Sequence, residues 1–372
     1  MDSSTPNMTI NNSNSFAAVA DRLTEVDSRQ SAPIPTATLR QAKTFVDAAG
    51  VADLLAEWAA EDGRATRTTS LPARQVLTVW IALGLAQRPL TISNAASVLS
   101  EHLTLARRRA LDLTQDFSKH SPEQVERIVD RATKSLIAVM DAFPTLTRQR
   151  RLTKGEWESV LAERASVSVE LERRRKRFVD LANRLLGAQH KSAAVSDLHQ
   201  GVSVVVDSRF RSAGVRGIGQ RRMNALTETG RVSLEPDAGY GVQGTTGAEV
   251  QARFGWEDEL AVLISNDPDQ PRAVPNVVIG FNPHLPGSGS ATAATEMLDD
   301  IAGRGAGLDH VVLDSAYMAT RPEALRTPLM NLGAKLVADY PPHRLGVQAV
   351  SETGILVDGT WYAPSLPVHL QN

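Results

Sequence analysis

Two aspartates occupy equivalent places in this chain: Asp207 closes the run "VSVVVD" and Asp314 closes "HVVLD". A short β-branched run without helical period reads as a buried strand, so each carboxylate is expected at the C-terminal end of one. If the two strands are parallel neighbours, both carboxylates share a rim, which is where an open α/β sheet places its site. Two carboxylates so close repel one another unless a cation lies between them. Mg²⁺, or Mn²⁺ in its place, suits that role, because it takes oxygen ligands, keeps several waters and needs only one or two protein carboxylates. Two such ions about 4 Å apart activate a water or a 3′-hydroxyl and stabilise the leaving oxygen of a phosphodiester. An aspartate at a strand end also commonly caps a turn or the next helix, and spacing by itself leaves both readings open.

Two basic stretches are candidates for holding phosphates. Residues 208–231 carry six Arg and one Glu, with glycines at 214, 217, 219 and 230. Such a segment is expected to connect strands beside the rim, making Arg209, Arg211, Arg216, Arg221 and Arg222 phosphate-contact candidates; the other reading is an exposed loop with incidental charge. Between Arg148 and Lys191 there are 12 Lys/Arg against 6 Asp/Glu, centred on "ERRRKRF", so Arg174, Arg175 and Lys176 join the list. A charge run is ordinarily a solvated helical face, but a one-signed excess also suits phosphate. Tyr317 and Trp256 read as core residues, His284 as a loop residue and His310 as structural.

The elements that must position these groups fall into two kinds. At 372 residues the chain is expected to form two ordered domains with tails. A hydrophobic fraction of 42%, a charged fraction of 22% and a net charge of −2 give no overall drive toward DNA or membrane, so any polyanion site must be local. The chain has no cysteine, which leaves oxygen and imidazole as the metal ligands and fits a reducing cytoplasm. No secretory signal is legible in "MDSSTPNMTINNSNSF", and the apolar stretch "VLTVWIALGLA" is well short of the roughly 20 residues that span a bilayer.

Residues 1–36 lack hydrophobic periodicity and read as a disordered tail. Helical periodicity follows over 39–60, where Gly50 is a break point, then from Pro72 to about Gln87, through "TISNAASVLSEHL", and from Ser121-Pro122-Glu123 to Ala142. These make an all-α domain over 37–145, followed by a basic helical connector over 146–200. From Val202 the pattern changes to the strands "VSVVVDS", "ELAVLIS", "NVVIGF", "HVVLDS" and "AKLVADY", interrupted by the helices "SATAATEMLDDIAGRG" and "PEALRTPLMNLG". The expected fold class is α+β, with a mixed sheet over 201–342 whose parallel pairs surround the helical crossovers.

The runs "VVVDS", "FGWEDELAVL" and "VVLDSAY" with "KLVADY" after it, in that order and spacing, resemble the catalytic core of bacterial insertion-sequence transposases of the Asp-Asp-Glu superfamily. The helical leader and the late segment "GILVDGTWYAPSLPVHL" are similar to those proteins too, so the resemblance covers nearly everything from Leu39 onward. It implies a ribonuclease-H-like core in which Asp207 and Asp314 ligate Mg²⁺ or Mn²⁺, with Asp314 opening a D-x-x-Y motif that ends at Tyr317. It also implies DNA as partner, both element ends and target, metal-assisted cleavage and joining as the activity, and a cytoplasmic, nucleoid-associated location in a bacterium. Transposases of this kind commonly act as dimers, so a homodimer is the expected assembly.

The sequence departs from that pattern in two places. Ser208-Arg209 stands where the family often has a small residue and Thr. The third ligand, a Glu on a helix after the last strand and any insertion, has no counterpart after Tyr340, where Glu352, Asp358 and Asp339 read as turn or strand-surface residues. Residues 343–372 are expected to begin a β-rich insertion, giving a truncated element with a two-ligand site and impaired strand transfer. The competing readings are a non-catalytic DNA-binding remnant that regulates transposition, an inert product, and a small-molecule α/β enzyme. The last is disfavoured because no Gly-rich phosphate cradle follows Asp207.

Overall fold

A computed structural model describes residues 32–63, 70–101, 103–141, 151–192, 201–213, 225, 230–233, 235, 238–243, 251–267, 269–287, 289–318, 320–338, 345–357, 360–365 and 367. The expected tail therefore lies outside the described residues up to residue 31, as do Arg216, Arg221, Arg222, Asp339, Tyr340 and Asp358. The chain divides into two compact units, Met1–Ile137 and Ala138–Asn372.

The first unit is helical. Helices α1 (Thr36–Ala48) and α2 (Val51–Glu61) are separated by Gly50, which turns the chain through φ 65°, a conformation that a side chain disfavours. Next come α3 (Ala73–Leu85), α4 (Ile92–Ser100), α5 (Leu105–Leu111) and α6 (Pro122–Ala138). The hydroxyls of Thr91 and Thr104 accept from Asn94 N–H and Arg107 N–H, satisfying amides that the first turns of α4 and α5 leave unpaired. Leu39, Val46, Leu54, Trp58, Val79, Leu83, Leu99, Phe117 and Val129 fill the core.

Three sequence expectations change here. Helix α5, "LARRRAL", has no apolar stripe to betray it; it forms because Thr104 caps it and Arg107 turns inward, donating to the Ile34 carbonyl at 2.5 Å. Ile34 is itself buried, so the packed unit begins before residue 37. Helix α6 ends at Ala138 rather than Ala142.

The second unit opens with β1 (Arg151–Thr153), which pairs antiparallel with β3 (Arg231–Ser233). Two helices follow β1: α7 (Lys154–Ser166), entered through a capping box of Thr153 and Glu156, and α8 (Ser168–Ser192). The basic run "ERRRKRF" lies in the long helix α8, as expected, while a short strand and α7 precede it in the connector.

The main sheet contains β2 (Val202–Ser212), β4 (Gly239–Gln243), β5 (Gln251–Ile264), β6 (Val278–His284), β7 (Leu308–Leu313) and β8 (Lys335–Ala338). β2 lies at the centre, antiparallel to β5 on one side and parallel to β7 on the other; β8 runs parallel to β7, while β4 and β6 both pair antiparallel with the far side of β5. The parallel strands are reached through α9 (Ser290–Gly303) and then through α10 (Ser315–Met318) and α11 (Arg326–Asn331). The fold is α+β with a mixed sheet.

The core of this unit joins Val204, Val206, Ala261, Leu263, Val311 and Leu313 of the sheet to Ala294, Met297, Leu298 and Ile301 of α9 and Leu329 of α11. Truncating a leucine as buried as Leu298 costs about 2–5 kcal/mol. Gly280 lets α9 approach closely, because a β-carbon there would lie 2.7 Å from Met297 Cγ. Beyond β8, β9 (Val347–Val350), β10 (Ile355–Val357) and β11 (Thr360–Tyr362) form a separate antiparallel sheet. No helix among the described residues is long and apolar enough to cross a membrane.

Candidate metal and nucleic-acid site

β2 and β7 are parallel neighbours, and their last shared rung is Val206 with Leu313. Asp207 and Asp314 are the next residue on each strand. Backbones in such a ladder are roughly 4.8 Å apart, so the two aspartates leave the sheet side by side. Both are exposed.

Asp207, expected at a strand end, is instead internal to β2. The strand continues to Ser212, paired with β5 down to Gly255. β5 has 14 residues and so offers a partner beyond the point where β7 stops. The rim is thus made by the end of β7 and not by the end of β2.

Each carboxylate is oriented by one backbone amide. Asp207 Oδ1 accepts from Ser208 N–H at 2.8 Å, and Asp314 Oδ1 accepts from Ala316 N–H at 2.9 Å in the first turn of α10. Asp314 therefore does serve as a cap, yet one carboxylate has lone pairs enough for a cap and a second ligand. Among the described residues no Lys or Arg forms an ion pair with either aspartate. Nor, among them, do three His, Cys, Asp or Glu side chains converge as a metal-binding group.

Beneath this rim lies a buried polar chain that sequence reading missed. Glu259, fully buried on β5, sits opposite Ser208 of β2 and Asn282 of β6. The Tyr317 hydroxyl donates to its Oε2, and His284 Nε2 lies 2.9 Å from its Oε1. His284 Nδ1 faces the Leu285 carbonyl at 2.8 Å, which can only accept, so Nδ1 carries a proton. One further proton is then needed between Nε2 and Glu259. A buried carboxylate is costly unless it is paired in this way. His284 is accordingly a strand-end residue with a buried partner, where a loop residue was expected.

Burial raises the Tyr317 hydroxyl pKa well above the ordinary tyrosine range. The hydrogen bond to Glu259 and the negative fields of Glu259, Asp314 and Asp207 add to the effect. Both rim aspartates thus lie within electrostatic reach of the Tyr317 hydroxyl. The "FGWEDELAVL" run contained a signal for Glu259, since an acid with apolar residues on its sheet face has to find buried partners.

The arginine candidates have varied surroundings. Arg209 is exposed on β2 and shares the face of Asp207. Arg211 forms a two-point ion pair with Asp258, Nε to Oδ2 at 2.8 Å and Nη2 to Oδ1 at 3.0 Å, and stacks over Trp256 with 4.8 Å to the ring centroid. Both lie on a strand where a loop was expected, and Trp256 is half-buried rather than a core filler. On α8, Arg174 binds Glu170, and Arg175 binds Glu172, Asn282 and Glu296, whereas Lys176 is exposed. Phosphate would have to compete with those carboxylates at Arg174 and Arg175. His310 lies within β7, with Nδ1 2.9 Å from Asp309.

No known protein-family model matches the chain, and no curated protein does. Among solved structures the chain is similar to the "Crystal structure of a pre-cleavage Mos1 transpososome", at 14% identity and a TM-score of 0.15, over 71% of this chain and 77% of that one. At that TM-score the likeness carries no structural inference.

Proposed function

We propose that this chain is a metal-dependent DNA phosphoryl transferase of the Asp-Asp-Glu transposase type, with a ribonuclease-H-like core in which Asp207 and Asp314 hold Mg²⁺ or Mn²⁺. The observation that carries this reading is the placement of the two aspartates one residue beyond the same rung of a parallel strand pair. The surrounding topology supports it: three antiparallel strands, then two parallel ones reached across helices, with the first strand of the series central. The D-x-x-Y motif supports it as well, since Tyr317 folds back beneath Asp314 to anchor α10 on Glu259.

The donor set fits a hard divalent cation. Each aspartate has one oxygen fixed by an amide and retains acceptor capacity, and among the described residues no Lys or Arg forms an ion pair with either. A bound ion would activate a water or 3′-hydroxyl and stabilise the departing oxygen of a phosphodiester. The chain's own contribution is to hold both carboxylates in register, to keep Tyr317 as a neutral donor beneath them, and to present Arg209 on the same sheet face.

The test uses the full chain, Mn²⁺ and supercoiled plasmid. Nicking that disappears in Asp207→Asn and in Asp314→Asn, while DNA binding persists, is the expected result. Nicking that survives both substitutions would refute the assignment. DNA binding with no Mn²⁺-dependent cleavage at all would give the chain to the non-catalytic regulatory reading.

A further inference from the structure

Past the rung at Val206, β2 and β5 continue together as a two-stranded ribbon from Asp207 to Ser212, with β4 added along the outer edge of β5. Arg209 faces Asp258 and Arg211 faces Trp256 across one ladder, while Tyr240 faces Phe254 across the other. Side chains two residues apart on a strand share a face. One face of the ribbon therefore carries Asp207, Arg209, Arg211, Asp258, Trp256, Phe254 and Tyr240.

The opposite face is packed around Phe210 and Gly241. Phe210 lies against Gly241, where an added β-carbon would come within 2.7 Å of its ring and 3.1 Å of Pro286. The aromatic and basic face is solvent-accessible: Tyr240 is 45% exposed and the Arg211 side chain 49%. Its rings are also held in place. Tyr240 and Phe254 pack with centroids 5.2 Å apart and planes inclined by 57°, and Arg211 is clamped over Trp256 by the buried Asp258.

We infer that this face is a stacking platform for single-stranded DNA, leading a few unpaired nucleotides to the carboxylate rim. Rings clustered beside the exposed Arg209 suit unstacked bases and their phosphates, whereas a duplex keeps its base faces hidden. The direction of the path rests on the proposed function, because Asp207 is both the first residue of the platform and a rim carboxylate. Binding itself requires neither metal nor cleavage.

The experiment measures fluorescence anisotropy of the full chain in EDTA at low salt with three labelled probes of equal length. These are a mixed-sequence single strand, its blunt duplex, and an abasic strand that keeps the phosphates and lacks the bases. The single strand should bind roughly tenfold more tightly than the abasic strand, and more tightly than the duplex. Trp256→Ala and Tyr240→Ala should each weaken single-strand binding several-fold while leaving the abasic strand unchanged. Equal affinity for the base-bearing and abasic strands would overturn the proposal, as would equal or tighter binding of the duplex or of RNA of the same sequence. If Trp256→Ala fails to fold, the probe comparison on the unmodified chain still decides. Loss of cleavage with these affinities intact would refute the proposed catalysis and not the platform.

Discussion

The Tyr317 hydroxyl donates to Oε2 of Glu259, 58 residues earlier in the chain, and so fastens the helix that follows Asp314 to the strand that flanks Asp207. Two segments distant in sequence are locked together directly under the rim.

Replacing Tyr317 with Phe keeps the ring and removes the donor, leaving a fully buried Glu259 oxygen unpaired. The loss should be about 1–3 kcal/mol of unfolding free energy, read from urea denaturation. A loss below a few tenths would mean that the hydrogen bond contributes nothing measurable to stability.

The same residue predicts an alkaline weakness. The Tyr317 pKa is raised above its ordinary value of 10.0 by burial first, then by Glu259 and the rim aspartates. A pKa raised on folding gives stability that is complete below the unfolded value and is lost as pH rises beyond it. The denaturation midpoint of the unmodified protein should therefore fall as pH climbs past about 10. Tyr317→Phe, less stable at neutral pH, should lose less over that interval, and parallel curves would contradict the assignment.

Asp207→Asn and Asp314→Asn separate metal binding from folding. Asparagine preserves the amide-accepting oxygen, so the bonds from Ser208 and Ala316 should survive. In EDTA both variants should melt within about 2 °C of the unmodified chain, since surface substitutions of this kind usually change stability by no more than ±0.5 kcal/mol. Mn²⁺ should raise the melting temperature of the unmodified chain alone, as a ligand that prefers the native state must. An equal shift in all three proteins would place the metal elsewhere.

Gly255→Ala probes the ribbon. A β-carbon there would lie 2.0 Å from the Arg211 carbonyl oxygen, a backbone atom that cannot swing aside. The substitution should cost more than Gly280→Ala, where flexible Met297 and Ile301 can absorb part of an overpacking penalty of about 1–3 kcal/mol. Thermal melts of the two variants give the order, and the reverse order would mean that β2 and β5 separate before Gly255.

Much of the second unit was legible because its strands are β-branched runs bounded by helices, and one rule of parallel crossover then makes the two aspartate-bearing strands candidates for neighbours. Helices announced by Ser121-Pro122-Glu123 or by an apolar stripe were readable for the same local reasons. Helix α5 escaped because its stabilising contact, Arg107 with the Ile34 carbonyl, spans 73 residues. β4 escaped because "GYGVQ" has little strand propensity of its own, its glycines being required by Phe210 and Pro286 on the packed face.

The residue types alone determined that Asp207 and Asp314 are the carboxylates that follow buried apolar runs, because hydrophobic patterning is a local property. Only the tertiary structure decided that Glu259, His284 and Tyr317 form one buried chain, that β2 outlasts β7, and that arginines near the rim share a face with aromatic rings. Those facts depend on which strand lies beside which and at what register, and register is set by the pairing of distant segments.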